Sequence, residues 1–83
     1  AYGQLGDAHQ SMNRLGDAIV AYRASIKINP RDARVRTNLG SALGREGRLP
    51  EAIAEFTEAL RLDPTYEPAA RNLALARSRL GGG

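Results

Sequence analysis

Apolar residues recur at three- and four-residue intervals in five stretches of the chain, and each stretch closes on a residue type that ends helices. The first, Ala1 to Met12, carries Tyr2, Leu5, Ala8, His9 and Met12. Asn13 follows it where a later unit has Gly47, and both types tolerate the left-handed backbone that closes a helix. The second, Asp17 to Ile28, carries Ala18, Ile19, Tyr22 and Ile26. It stops at Asn29-Pro30, because a residue before proline is pushed out of the helical region. The third, Ala33 to Glu46, carries Val35, Leu39, Ala42 and Leu43. The fourth opens at Pro50, whose missing amide is harmless in a first turn, and ends at Asp63-Pro64. Its apolar side is Ala52, Ile53, Phe56, Ala59 and Leu60. The fifth, Glu67 to Leu80, carries Ala69, Leu73, Ala76 and Leu80. The short connections between them make neighbouring helices antiparallel.

The pattern repeats itself. At an offset of 34 residues Leu5 falls on Leu39 and Leu73, Gly6 on Gly40, Ala18-Ile19 on Ala52-Ile53, Tyr22 on Phe56, and Pro30 on Pro64. A fixed period of this length marks a helical solenoid, in which each unit buries its apolar face by stacking on its neighbour. The predicted fold is all-α: five helices, arranged as antiparallel helix hairpins stacked into a right-handed α-solenoid. Residues 1–80 form a single array, with repeat 1 at 1–32, repeat 2 at 33–66, a C-terminal capping helix at 67–80 and a glycine tail at 81–83. Tyr22, Phe56, Leu39, Leu60 and Ile53 are expected among the most buried residues. Arg77 stands where earlier units have His9 and Leu43, so the fifth helix is expected to cap the array with a solvated outer side.

Leu39-Gly40, Leu43, Gly47, Ala52, Phe56, Ala59 and Pro64 resemble, in full phase, the pattern of the tetratricopeptide repeat family. The first unit is similar, with Tyr2, Leu5-Gly6, Ala18, Tyr22 and Pro30, and the resemblance covers residues 1–80. Small residues at Gly6, Gly40, Ala18 and Ala52 let backbones approach, and the aromatic Tyr22 or Phe56 fills the space beside them. Arg36 departs from the pattern, which prefers a large apolar residue there; its stem is expected on the seam with its charge reaching water. The resemblance implies that the first helix of each repeat lines a concave groove for an extended peptide or a partner helix. The groove positions would then include Gln4 and Asp7 in the first unit, Arg34, Thr37, Asn38, Ser41 and Arg45 in the second, and Arg71, Asn72 and Arg79 in the last.

Gln4, Asn38 and Asn72 share one repeat position, and an amide offers both donor and acceptor to a peptide backbone of any sequence. The arrangement resembles the asparagine ladder in the superhelix of the O-linked N-acetylglucosamine transferase; Asn at this step can equally serve to bond a neighbouring helix end. The carboxylate clamp of chaperone-binding members of the family needs basic residues at Gly3, Pro68 and Asn72 and an Asn at Asp7. Only Asn38 fits it, so a chaperone-tail receptor of that type is not expected. Arg34, Arg45, Arg71 and Arg79 either grip ligand carboxylates or form a solvated charged face.

Composition removes other classes. There is no cysteine and one histidine, His9, expected to pack rather than react, so neither a thiolate metal site nor a nucleophile–base pair can be assembled. No enzyme and no cofactor is predicted. The net charge is +3 and eleven of the twelve basic residues are Arg, a mild bias toward acidic partners without the dense patch or stacking aromatics of a nucleic-acid binder. No apolar run reaches membrane-spanning length, so no membrane insertion is expected. A start at Ala1 and a triglycine end read as an excised piece of something longer, or as one copy within an assembly. Glu51, Glu55 and Glu58 are expected along one solvated helix side, with Glu55 or Glu58 pairing locally with Arg61. The expected function is a non-catalytic interaction module binding a protein or peptide, acidic by preference, in the groove. The alternative is a structural repeat that self-associates end to end through its first helix, at Ala1, Leu5, Ala8 and Met12.

Overall fold

The computed structural model describes residues 2–81, among which the elements are α1 (Tyr2–Ser11), α2 (Leu15–Ile28), α3 (Ala33–Arg45), α4 (Leu49–Leu62) and α5 (Glu67–Gly81). Ala1, and Gly82 and Gly83 of the glycine tail, lie outside the described residues; Gly81 ends α5. α2 and α4 start earlier than the spacing predicts, at Leu15 and Leu49, because their first hydrogen bonds run from Ala18 N–H to the Arg14 carbonyl and from Ala52 N–H to the Arg48 carbonyl, 2.9 and 3.0 Å.

Both hairpin turns close in the same way. Asn13 and Gly47 adopt left-handed backbone, φ 61° and 83°. Around them Arg14 N–H reaches the His9 carbonyl and Arg48 N–H reaches the Leu43 carbonyl, 2.8 and 2.9 Å. A second bond in each turn, Asn13 to Gln10 and Gly47 to Gly44, completes a Schellman closure. The opposite turns are set by side chains. The Asp32 carboxylate accepts from Val35 N–H at 3.2 Å and so opens α3, while Asp63 accepts from Thr65 N–H at 3.1 Å beyond α4.

Each helix packs on the next, and α3 also touches α1 and α5 directly. The odd-numbered helices therefore form one layer and α2 and α4 a second. The core follows the seam between them: Ala18, Ile19, Tyr22, Leu39, Leu43 and Phe56 belong to one buried cluster. Its closest approaches are aromatic on glycine. A Cβ built on Gly6 would lie 2.5 Å from Tyr22 Cε1, and one on Gly40 would lie 2.5 Å from Phe56 Cε1. Glycine is required there because the ring takes the space a side chain would fill.

Tyr22, Leu39 and Phe56 are buried as expected, but Ile53 and Leu60 are only partly buried. The deepest positions on α4 go to Ala52, Phe56 and Ala59, since close helix approach needs small residues at the contact. Arg36 does not send its charge to water. Its guanidinium meets Glu55 at 3.1 Å and donates to the Pro30 carbonyl at 3.0 Å, with the two side chains 19% and 24% exposed. Glu55 is thereby drawn off the solvated side of α4, leaving Glu58 as the partner of Arg61 and Glu51 as that of Arg48. On α1 the outer side is bare: Leu5 is 48% exposed, whereas its equivalents Leu39 and Leu73 are 2% and 9% exposed.

Candidate functional site

Because α1, α3 and α5 lie in one layer, residues at one repeat position line up across that layer. Its α1–α3 half is tied together by a polar network centred on Asp7. The Asp7 carboxylate accepts from Tyr22 Oη at 2.6 Å, from Asn38 Nδ2 at 3.0 Å and from Arg34 Nη1 at 3.2 Å. Gln10 extends the network, donating from Nε2 to Ser41 Oγ at 3.0 Å. Arg45 closes it by donating to the Gln10 carbonyl at 3.3 Å and to Asn13 Oδ1 at 3.1 Å. The Tyr22 phenol is pushed well above its ordinary ionisation range, first by burial, then by its hydrogen bond to Asp7 and by that carboxylate's charge.

Five of the expected groove residues, Asp7, Arg34, Asn38, Ser41 and Arg45, are thus brought together, but bonded to repeat partners. Two open clefts flank them. One, of about 240 Å³, lies between α1, the end of α2 and the start of α3, and takes Gln4 and Arg34 in its lining. The other, of about 170 Å³, lies between α3 and α5, with Ser41, Arg45, Asn72 and Arg79 around Phe56 and Leu75. Gln4 and Asn72 therefore face different clefts, with Asn38 between them and bonded to Asp7. Arg71 is exposed and lines neither cleft. Thr37 leaves the groove face altogether: it is buried, and its hydroxyl donates to the Ala33 carbonyl at 2.8 Å.

Sequence reasoning missed Gln10 as a link and Tyr22 as a donor into this face. A signal existed: Tyr22 stands where the next unit has Phe56, and a buried phenol needs a partner for its hydroxyl. The unit with Tyr has Asp7 on its groove side, and the unit with Phe has Ser41 at the same position. His9 packs half-buried, its Nδ1 enclosed without a hydrogen-bond partner among the described residues. Among those residues no group of three His, Cys, Asp or Glu is placed to hold a metal ion, and no helix is long and apolar enough to cross a membrane.

A family model described as Tetratricopeptide repeat matches residues 4–67. The chain belongs to the tetratricopeptide repeat family. It is 36% identical over 78 residues to the TPR repeat-containing thioredoxin TTL4 of Arabidopsis thaliana, covering 94% of this chain and 11% of that protein. It is 31% identical over 77 residues to the peroxisomal targeting signal receptor of Kluyveromyces lactis, covering 93% of this chain and 14% of the receptor. Among solved structures, the TPR2B domain of yeast Sti1 in complex with pHsp70 superposes with a TM-score of 0.91 at 32% identity. That match covers 94% of this chain and 63% of the other. The chain thus spans between a tenth and a seventh of the length of these two curated relatives.

Proposed function

We propose that this stretch is a non-catalytic interaction module whose odd-helix face receives a segment of a partner protein. The observation that carries the reading is a division of labour on that face. Asp7, Arg34, Asn38, Ser41 and Arg45 bond to one another or to neighbouring helices and fix its shape. Gln4, Arg71, Asn72 and Arg79 have no side-chain hydrogen bond to a described residue, and three of the four line the clefts. Unengaged donors beside a preformed concave surface are what an extended peptide needs for its own backbone groups. The similarity to a Sti1 domain in complex with pHsp70, at 32% identity, supports a partner protein as the ligand class.

The test is site-specific photocrosslinking of the intact chain to a random peptide library, with the reactive group at position 72 or, as a control, at Val20 on the outer side of α2. Crosslinks at 72 that are lost on adding Gln4→Ala and Arg79→Ala support the groove. Crosslinks at 20 alone move binding to the outer layer and refute it.

A second reading rests on the bare side of α1, where Leu5, Tyr2 and Met12 are exposed although Leu39, the equivalent of Leu5, is covered. A second copy stacked there would bury them. Sedimentation velocity over a concentration series checks this: a mass that rises with concentration and reverts to monomer in Ala8→Glu supports it, and a constant monomer mass removes it.

A further inference from the structure

The two units differ at the corner where a hairpin meets the start of the next unit. Gly3 holds the repeat position of Thr37, and Ser25 that of Ala59. Thr37 and Ala59 are buried, 2% and 0% exposed. With no side chain on Gly3, the corner between α1, the end of α2 and the start of α3 stays open as the cleft of about 240 Å³. A Cβ on Gly3 would enter it, 3.2 Å from Val35 Cγ2, 3.3 Å from Arg34 Nη2 and 3.5 Å from Ser25 Oγ. We propose that this cleft receives a lysine side chain of the partner segment, its ammonium set against Asp32. The proposal rests on the groove reading above and names the chemistry of one end of that face.

Two charged side chains line the cleft, and only one is neutralised. The Arg34 guanidinium is held by the Asp7 carboxylate at 3.2 Å. Asp32 forms no ion pair with a described residue. One of its oxygens accepts from Val35 N–H at 3.2 Å, which caps α3, and the other accepts from no described group. The charge left over is therefore negative, opposite in sign to the +3 of the whole chain. Lys27 and Arg31, on the chain between α2 and α3, are exposed and stand outside the lining. α2 ends at the same corner, and the terminal carbonyls of a helix favour a cation.

The rest of the lining suits an aliphatic stem that ends in three donors. Ile28 and Val35 are apolar walls for the stem, and Tyr2, 46% exposed, adds an aromatic ring beside the cation. Ser25 and Gln4 supply oxygens for the hydrogens that Asp32 does not take. Thr37 and Thr57 turn their hydroxyls back onto the carbonyl four residues earlier, whereas Ser25 makes no such bond to a described residue. The same lining selects against other side chains. A carboxylate would face Asp32, and an apolar group would leave that carboxylate dehydrated without a partner.

The test is a ¹⁵N-correlation titration of the intact chain with an end-blocked Gly-Ser-Gly-Lys-Gly-Ser-Gly peptide, compared with norleucine and acetyllysine versions. The expected result is saturable shifts at Gly3, Gln4, Asn29 and Val35 with the lysine peptide. Either neutral version should bind about tenfold more weakly, the size of one charge-assisted contact. Asp32→Asn keeps a cap on α3, since Asn serves there as well as Asp. It should weaken the lysine peptide about tenfold and leave the neutral versions unchanged. Gly3→Thr, checked for intact helicity, closes the cleft as in the second unit and should remove the shifts. Equal binding of the lysine and norleucine peptides, or undiminished lysine binding by Asp32→Asn, would overturn the subsite. Shifts confined to Asn72, Leu75 and Arg79 would overturn it too and leave the groove reading standing. With no shifts up to millimolar peptide the subsite falls, and the crosslink at position 72 decides the groove reading separately.

Discussion

Gly40→Ala sets two effects of opposite sign against each other. Alanine in a helix interior is worth ~0.8–1 kcal/mol over glycine, so propensity alone predicts stabilisation. The structure predicts the reverse. The added methyl would sit 2.5 Å from Phe56 Cε1, 2.8 Å from Cδ1 and 3.0 Å from Cζ, when ordinary carbon contacts begin near ~3.5 Å. Phe56 is 3% exposed, so the ring can give way only toward the α3–α5 cleft, at the cost of its own packing, or the two layers must part locally. Overpacking of this kind costs ~1–3 kcal/mol, and three close ring atoms place it at the upper end. The net loss is ~2 kcal/mol after the propensity gain. For a domain of this size it lowers Tm by ~8–16 °C, followed by circular dichroism at 222 nm. Gly16→Ala is the control: nothing lies within 4 Å of a Cβ there, so it should be neutral or gain a few tenths of a kcal/mol. Gly40→Ala combined with Phe56→Leu should lose less than the two single losses added, because the smaller side chain admits the methyl. A Gly40→Ala protein as stable as wild type would refute the aromatic-on-glycine contact as the determinant of layer spacing.

Tyr22→Phe removes the hydroxyl that Asp7 accepts from and should cost ~0.5–1.5 kcal/mol at neutral pH. Because the folded Tyr22 ionises well above the unfolded phenol's ~10, its contribution is fully present below that value and is lost as pH rises through the folded one. Urea midpoints at pH 8 and pH 11 should therefore fall less in Tyr22→Phe than in wild type; an equal fall would contradict the assignment. Glu55→Ala leaves the Arg36 guanidinium at the α3–α4 seam without its carboxylate and should destabilise by ~1–3 kcal/mol. Arg36→Met, which removes the charge itself, should be nearer neutral, and urea denaturation of both shows whether the order holds. On the groove face, Asn72→Ala should weaken a bound peptide at unchanged Tm, whereas Asn38→Ala should lower Tm as well, since only Asn38 bonds to Asp7; calorimetric titration beside a melt separates the two.

The repeat, the helix order and the turns can all be read along the chain. A period of 34 residues, with Pro30 and Pro64 in phase and Asn13 and Gly47 at matching breaks, is local information, and helix ends are decided locally. It also marked the aromatic–glycine pairs, because each glycine recurs in phase with its ring. Which polar groups stay available to a ligand depends instead on how the helices stack. From sequence, Asp7, Asn38 and Arg45 look as free as Gln4, Asn72 and Arg79, for all six lie on one helix side. Only the stacking of α1 on α3 brings Asp7 within reach of Asn38, 31 residues away, and Arg45 within reach of Asn13, 32 residues away. Hydrogen bonds form over about 3 Å, and helical periodicity gives the direction of a side chain but not the identity of the neighbour it meets. The fate of Arg36 has the same cause. Its charge looked destined for water until packing of α3 on α4 set Glu55 beside it. Direction is written in the chain one helix at a time, whereas partnership depends on how the layers close on each other.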